Sequence, residues 1–314
     1  MHAVYDCHYD LLTYILMKKD EVEFLVKLCK NLYNSNNVVG GLVNTYYMIP
    51  SDMKKELGID NLDVIEHFKL VNEIINKYEL LPDKESFLLS IEGCSYINIE
   101  DLEVLYNLGL RSIIPVYNED NQYGGGAFGD INRGLTEEGK ILIDEALRLK
   151  IIIDVSHLNH KTANDVLDYL IKKKEEGANP IVIASHSNVC SLVHRSRNIT
   201  DEIIKKIGLL DGIVGIVARK SFCCDKDTDD YDKYFARHIR YVADLIGIDK
   251  IGVASDDMDY HPDREYQDNA MYNVNSFGNS VYNALINNGF SKEEVNMVMR
   301  DNFKEKVLFK VKKK

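Results

Sequence analysis

The sequence predicts an α/β chain closed as a (β/α)8, TIM-like barrel with additional C-terminal helices. Short β-branched runs recur eight times along 314 residues, with longer helix-like stretches between them. Runs such as Ile151-Ile152-Ile153 are apolar on both faces, as parallel strands covered on both sides must be. The first strand lacks the Gly-rich phosphate turn that opens a doubly wound sheet, the nearest rival architecture.

In chain order, strands are expected at residues 3–6, 41–45, 87–91, 112–116, 151–155, 181–184, 213–217 and 251–254. Helices are expected over 20–33, 62–78, 100–108, 136–149, 161–176, 201–207 and 233–246, with 275–288 and 291–309 as extra helices closing the barrel. Thr136, followed by Glu138 and Gly139, marks one helix start, and Asn198-Ile199-Thr200-Asp201 marks another. The loops 118–133 and 219–231 are long and polar, better suited to binding than to packing. Gly124-Gly125-Gly126 lacks both phosphate-binding spacing and an ensuing helix, so it reads as a flexible loop. No repeat or Pro/Gly linker divides the chain, and residues 1–314 read as one domain.

Composition narrows the functional classes. Hydrophobic residues at 45% and charged residues at 28% are ordinary for a globular chain and set aside disorder and fibrous classes. The net charge is −12, and no basic cluster is longer than Lys312-Lys313-Lys314, so nucleic acid is not an expected partner. The best apolar window, 208–218, contains Asp211 and is too short to cross a bilayer, so no membrane partner is expected. Asp6, His8 and Asp10 interrupt any leader-like apolar run, and the six cysteines form no CxxC pair. They read as reduced thiols, which points to the cytoplasm.

Barrel enzymes carry their chemistry at the C-terminal ends of the strands. There the sequence places Asp6-Cys7-His8-Tyr9-Asp10, Glu92-Gly93, Tyr117-Asn118, Asp154-Val155-Ser156-His157, Ser185-His186-Ser187 and Ser255-Asp256-Asp257. Three histidines and several carboxylates thus gather on one rim, as a metal site or a proton-transfer site needs. Residues two apart in a strand share a face, so His8 and Asp10 can serve one ion together. Each histidine taken singly is equally compatible with a hydrogen-bonded structural role. His2, His67, His160, His194, His238 and His261 fall elsewhere and read as structural or solvent-facing. Cys7 and Cys94 flank the ligand candidates and read as small buried filler.

These residues sit in a wider pattern: DCHYDL at 6–11, IEG at 91–93, LGLRSIIPVYNEDNQYGGG at 108–126, GLTEEGKILIDEALRLKIIIDVSHLN at 134–159, PIVIASHSNV at 180–189, RNITDE at 197–202 and LIGIDKIGVASD at 245–256. In order and spacing the chain resembles the membrane (renal) dipeptidase family of zinc peptidases, and in particular its soluble bacterial members. The resemblance implies a metal-dependent dipeptidase barrel with two Zn2+ ions per chain, although His/carboxylate sites also accept Mn2+ or Co2+. It implies that His8 and Asp10 hold one ion, that His157 and His186 hold the second, and that Glu92 bridges both. A metal-bridging hydroxide then attacks the peptide bond of a dipeptide substrate. Arg197 matches the arginine that meets the substrate, and Asp256 the acidic residue beside the bridging water. The chain departs from the family pattern twice. Tyr117 stands where a histidine is common, and the segment after Ser255-Asp256 reads Asp257-Met258-Asp259 instead of the usual FDG. Two alternatives remain open at this level: a two-metal barrel hydrolase acting on another amide, lactone or phosphoester, and a metal-binding relative without catalysis. Oligomeric state is open too, with a homodimer among the possibilities.

Overall fold

The structure is a computed structural model and describes residues 2–35, 38–46, 55, 63–83, 85–256, 268–272 and 276–312. Its centre is a closed barrel of eight parallel strands in sequence order, each paired with its neighbours and β8 returning to β1. The strands are β1 (Val4–Tyr9), β2 (Val38–Tyr46), β3 (Phe87–Glu92), β4 (Leu110–Ile114), β5 (Ile152–Asp154), β6 (Val182–Ala184), β7 (Ile213–Val217) and β8 (Ile251–Ala254). Alternation of side chains across each strand splits the apolar residues into two populations. Ile91, Ile113, Ile153, Val182, Val214 and Val253 belong to the layer shared with the surrounding helices. Leu42, Leu88, Ile152, Ile183 and Ile213 belong to a second cluster with Phe303, Val307 and Leu308 of the C-terminal helical stretch, which closes one end of the barrel. The rings of Tyr5 and Phe303 stack there at 5.4 Å.

The helices start where the sequence supplies caps. Asp63 and Glu66 form a capping box ahead of Val64–Tyr78, and Thr136 accepts from Gly139 N ahead of Glu137–Leu149. Asn159 accepts from Thr162 N ahead of His160–Glu175, and Thr200 from Ile203 N ahead of Asp201–Leu209. Each cap satisfies a backbone donor that the first turn cannot, worth about 1 kcal/mol. The last helices run from the Ser291–Glu294 capping box through Lys312, with π-helical stretches at Met297–Asp301 and Lys304–Leu308.

Some expectations shift. β1 continues three residues past Asp6, and β4 begins two residues before Ser112. A helix over Leu11–Met17 was not expected, because Leu11 through Leu16 are all buried and leave no polar face to mark a helical period. The triplet Gly124-Gly125-Gly126 is not a loose loop. Gly125 N donates to Thr162 Oγ1 at 2.9 Å, Gly126 N to Asp120 Oδ1 at 3.1 Å, and Asn159 N to Gly125 O at 3.0 Å. With Tyr123 and Ala127 buried beside it, part of the 118–133 loop packs instead of reaching into solvent. Among the described residues, no helix is long and apolar enough to cross a membrane. His261 and residues 257–259 lie outside the described residues.

Candidate metal centre

Two buried aspartates set the rim. Asp6 Oδ1 accepts from His8 N at 3.1 Å and Ser255 N at 2.9 Å, while Asp6 Oδ2 accepts from Ser255 Oγ at 2.5 Å. This ties β1 to the residue after β8, while on its other side β1 meets β2 with a register irregularity between Asp6 and Tyr9. Gly41 permits it: its φ is +137°, and a Cβ there would meet Asp6 O at 1.8 Å. Asp154 does the same work two walls away, accepting from Ser156 N at 2.9 Å and Ser185 N at 3.0 Å and so tying β5 to β6. The residues that follow are His157 and His186. His157 and Asp256 both take left-handed backbone (φ 66° and 48°), which costs on the order of 1–3 kcal/mol each for a non-glycine residue. Asp10 is the N-cap position of the Leu11–Met17 helix, one residue beyond β1, so it is a helix start that presents it and not the strand alternation.

The five ligand candidates converge. His157 Nε2 lies 2.7 Å and His186 Nε2 3.3 Å from Glu92 Oε1, and the two nitrogens are 2.8 Å apart. His8 Nε2 lies 3.6 Å from both Asp10 Oδ1 and Glu92 Oε1, and 4.0 Å from Asp256 Oδ1. Three interlocking groups result: His8–Asp10–Glu92, Glu92–His157–His186 and His8–His186–Asp256, each with donor atoms within 4.8 Å of one another and all buried. Glu92 is common to the first two.

The ring orientations suit ligation. His157 Nδ1 donates to Asn118 Oδ1 at 2.8 Å, which leaves the Nε2 lone pair facing Glu92. His186 Nδ1 pairs with Ser185 Oγ at 2.7 Å and likewise turns Nε2 inward. The Tyr117 ring stacks on His157 at 4.4 Å. Burial holds His157 and His186 well below the ordinary histidine value, so both are neutral, the form that binds a metal. Burial also disfavours a charged His8, yet the Glu92 and Asp10 carboxylates outweigh it and push His8 up to about 10. Burial raises Asp10, and pushes Glu92 up to about 8 and Asp6 up to about 7. A pocket that demands a proton this strongly carries surplus negative charge. His8 Nε2, Asp10 Oδ1 and Glu92 Oε1 are buried atoms without a hydrogen bond. Orphaned polar atoms of this kind are costly, and divalent ions would satisfy all three at once. The residues present therefore fit a metal pair.

Around this core, Arg197 is buried, its guanidinium 5.8 Å from the centre of the Phe222 ring. Its charge reaches Glu92, His157, His186 and Tyr117. Sequence reasoning missed Asn118, Ser185 and Arg219, the last with its Nε 3.3 Å from Asp256 Oδ2. Asn118 and Ser185 stood beside selected residues at strand ends, which was the available signal. Arg219 carried none, since its partner lies 37 positions away, beyond the end of another strand. Cys7 is buried against Gly252, whose added Cβ would meet its sulfur at 2.5 Å, and Cys94 Sγ donates to Ile114 O at 3.5 Å. Both behave as filler.

A parallel barrel with a buried histidine–carboxylate cluster at the strand ends defines a class of metal-centre barrels. Residues 62–313 match the membrane dipeptidase family (peptidase family M19), and the chain belongs to that family. His8 and Asp10 precede the matched stretch, so their place rests on the geometry above. The "Uncharacterized protein in pqqA 5'region" of Klebsiella pneumoniae is 34% identical over 177 residues, covering 53% of this chain and 62% of that protein. Dipeptidase tcpJ of Claviceps purpurea is 27% identical over 201 residues, covering 63% of this chain and 44% of its own length. The chain thus spans about half the length of the curated relatives it matches. A metallo peptidase from Rhodobacter sphaeroides, solved with a phosphinate mimic of the dipeptide L-Ala-D-Ala, superposes with a TM-score of 0.75 over 99% of both chains at 20% identity, a likeness of fold.

Proposed function

We propose that the chain is a metal-dependent dipeptidase that hydrolyses the peptide bond of dipeptides, with residues 1–314 acting as one domain. The observation that carries this reading is the pair of buried donor groups sharing Glu92, with His8 Nε2, Asp10 Oδ1 and Glu92 Oε1 buried at their centre without a hydrogen bond. His8 and Asp10 would hold one divalent ion and His157 and His186 the other, with Glu92 common to both; zinc is the expected metal. When bound, such ions supply Lewis acidity, making a water nucleophilic near neutral pH and polarising the scissile carbonyl.

The chain's own residues do the rest. The Arg197 guanidinium offers a planar fork for a substrate carboxylate, which selects short peptides whose free C-terminus lies next to the scissile bond. Burial keeps the Tyr117 phenol protonated, so its hydroxyl can donate to the carbonyl oxygen as negative charge develops there. Asp256 takes the proton released by the attacking water and returns it to the leaving amine, so that the C–N bond breaks to a neutral amine. The phosphinate mimic of a dipeptide bound by the Rhodobacter relative supports the same substrate class. Six free cysteines, five of them buried, support a reducing, cytoplasmic setting.

The test is a panel of dipeptides and their C-terminal amides, run on metal-loaded and chelated protein. Free dipeptides should be cleaved by the loaded protein alone, and amides at least about tenfold more slowly, the loss expected for a removed charged contact. Equal rates on free and amidated peptides would remove Arg197 from this role, and turnover by fully chelated protein would end the metal reading.

A further inference from the structure

Arg219 follows β7, between Ala218 and the short helix Lys220–Cys223, and at 1% exposure it is the largest fully buried side chain among the described residues. A guanidinium buried this deeply is tolerated only against a counter-charge. Its Nε lies 3.3 Å from Asp256 Oδ2, while Asp256 Oδ1 faces His8 Nε2 at 4.0 Å. One carboxylate is therefore held between an arginine on one side and the metal centre on the other. The backbone around Arg219 is locked as well. It bridges Ala270, Met271 N donates to Ala218 O at 3.0 Å, and Lys220 N donates to Asn269 O at 2.9 Å. Ser221 N donates to Asn269 Oδ1 at 2.9 Å. Its charge also reaches Asp10 and His186.

We propose that Arg219 is a positioning residue. It grips Asp256 by Oδ2, fixes the side-chain rotamer and leaves Oδ1 as the oxygen turned toward the reacting water and amine. The inference rests on the reading of Asp256 as the proton carrier. It differs from a second carboxylate-binding arginine, which would act on substrate affinity, and from a purely structural ion pair, which would act on stability.

A double-mutant cycle on full-length, metal-loaded protein separates these roles: Arg219→Met, Arg219→Lys, Asp256→Asn and the double variants, each assayed for kcat, KM, metal content and melting temperature. Arg219→Met should lower kcat by about 10- to 100-fold with KM within about threefold and metal content unchanged, and Arg219→Lys should recover part of the loss. In the Asp256→Asn background, Arg219→Met should change kcat by less than about twofold, because the group it acts through has gone. There it should also raise the melting temperature, by removing a buried charge that has lost its partner. If Arg219→Met does not fold, the same cycle is read from Arg219→Lys. A raised KM at unchanged kcat, multiplicative losses in the double variant, or an unchanged kcat per folded molecule would each overturn the proposal. A near-wild-type Asp256→Asn enzyme that still depends on Arg219 would instead overturn the assignment of Asp256 as proton carrier.

Discussion

Glu92 Oε1 lies within 3.6 Å of an imidazole nitrogen from each of His8, His157 and His186, so one carboxylate oxygen faces donors from three other strand ends. That position makes the charge of Glu92, and not its size, the decisive property. Glu92→Gln keeps the shape but presents a neutral amide to a site that, on the proposed reading, balances two dications. Elemental analysis should show the variant losing most of its metal, with affinity down by at least about 10- to 100-fold, the range already seen when only a ligand's outer partners are removed. Asp256→Asn should keep its metal, because the donor groups built on Glu92 stand without it. A fully metallated Glu92→Gln protein would show that the carboxylate is not a ligand. At this scale the site was largely legible. His8, Glu92, His157, His186 and Asp256 lie one or two residues beyond expected strands, where barrel geometry turns side chains to one rim, whereas Asp10 lies four beyond and is presented by a helix start. Arg219 was not legible, because its pairing with Asp256 depends on a contact between two strand ends that the sequence does not print.

The elements that hold these residues have their own titration chemistry. His238, on the helix Tyr231–Ile246, accepts from Val189 N at 3.0 Å and donates to Cys223 O at 3.1 Å, linking that helix to the segments after β6 and β7. Burial pushes it down to about 4. The unfolded chain takes up this proton near the ordinary value of 6.5, whereas the folded chain resists until about 4, so acid favours unfolding. Its contribution is complete above 6.5 and is lost as pH falls toward 4, at up to about 1.4 kcal/mol per pH unit. Urea unfolding of wild type and His238→Gln between pH 7 and pH 4.5 should therefore show a stability difference that shrinks with acid. Parallel curves would mean that His238 is not held neutral. Element types were legible from caps and apolar runs, and the failures have physical causes. The Leu11–Met17 helix is buried from Leu11 through Leu16 and so shows no helical period. The Gly124–Gly126 stretch looked loose because its partners, Thr162 and Asn159, sit on a helix more than 30 residues away.

Across the whole molecule, the donor groups join the ends of β1, β3, β5 and β6, half the strands of the barrel. Metal bound there cross-links the rim opposite the end that Phe303 and Val307 close, and stabilises the folded state by mass action, about 2.7 kcal/mol at a hundredfold excess over the dissociation constant. Removing it leaves buried carboxylates close together with no counter-ion, so metal-free protein should melt at a lower temperature. The most direct measurement is a zinc titration of metal-free protein, following dipeptide turnover and melting temperature on the same samples. Both should climb together and break at two equivalents per chain, with little turnover before the second site fills. Full turnover at zero or one equivalent, or a melting temperature indifferent to zinc, would contradict a paired metal centre held by His8, Asp10, Glu92, His157 and His186.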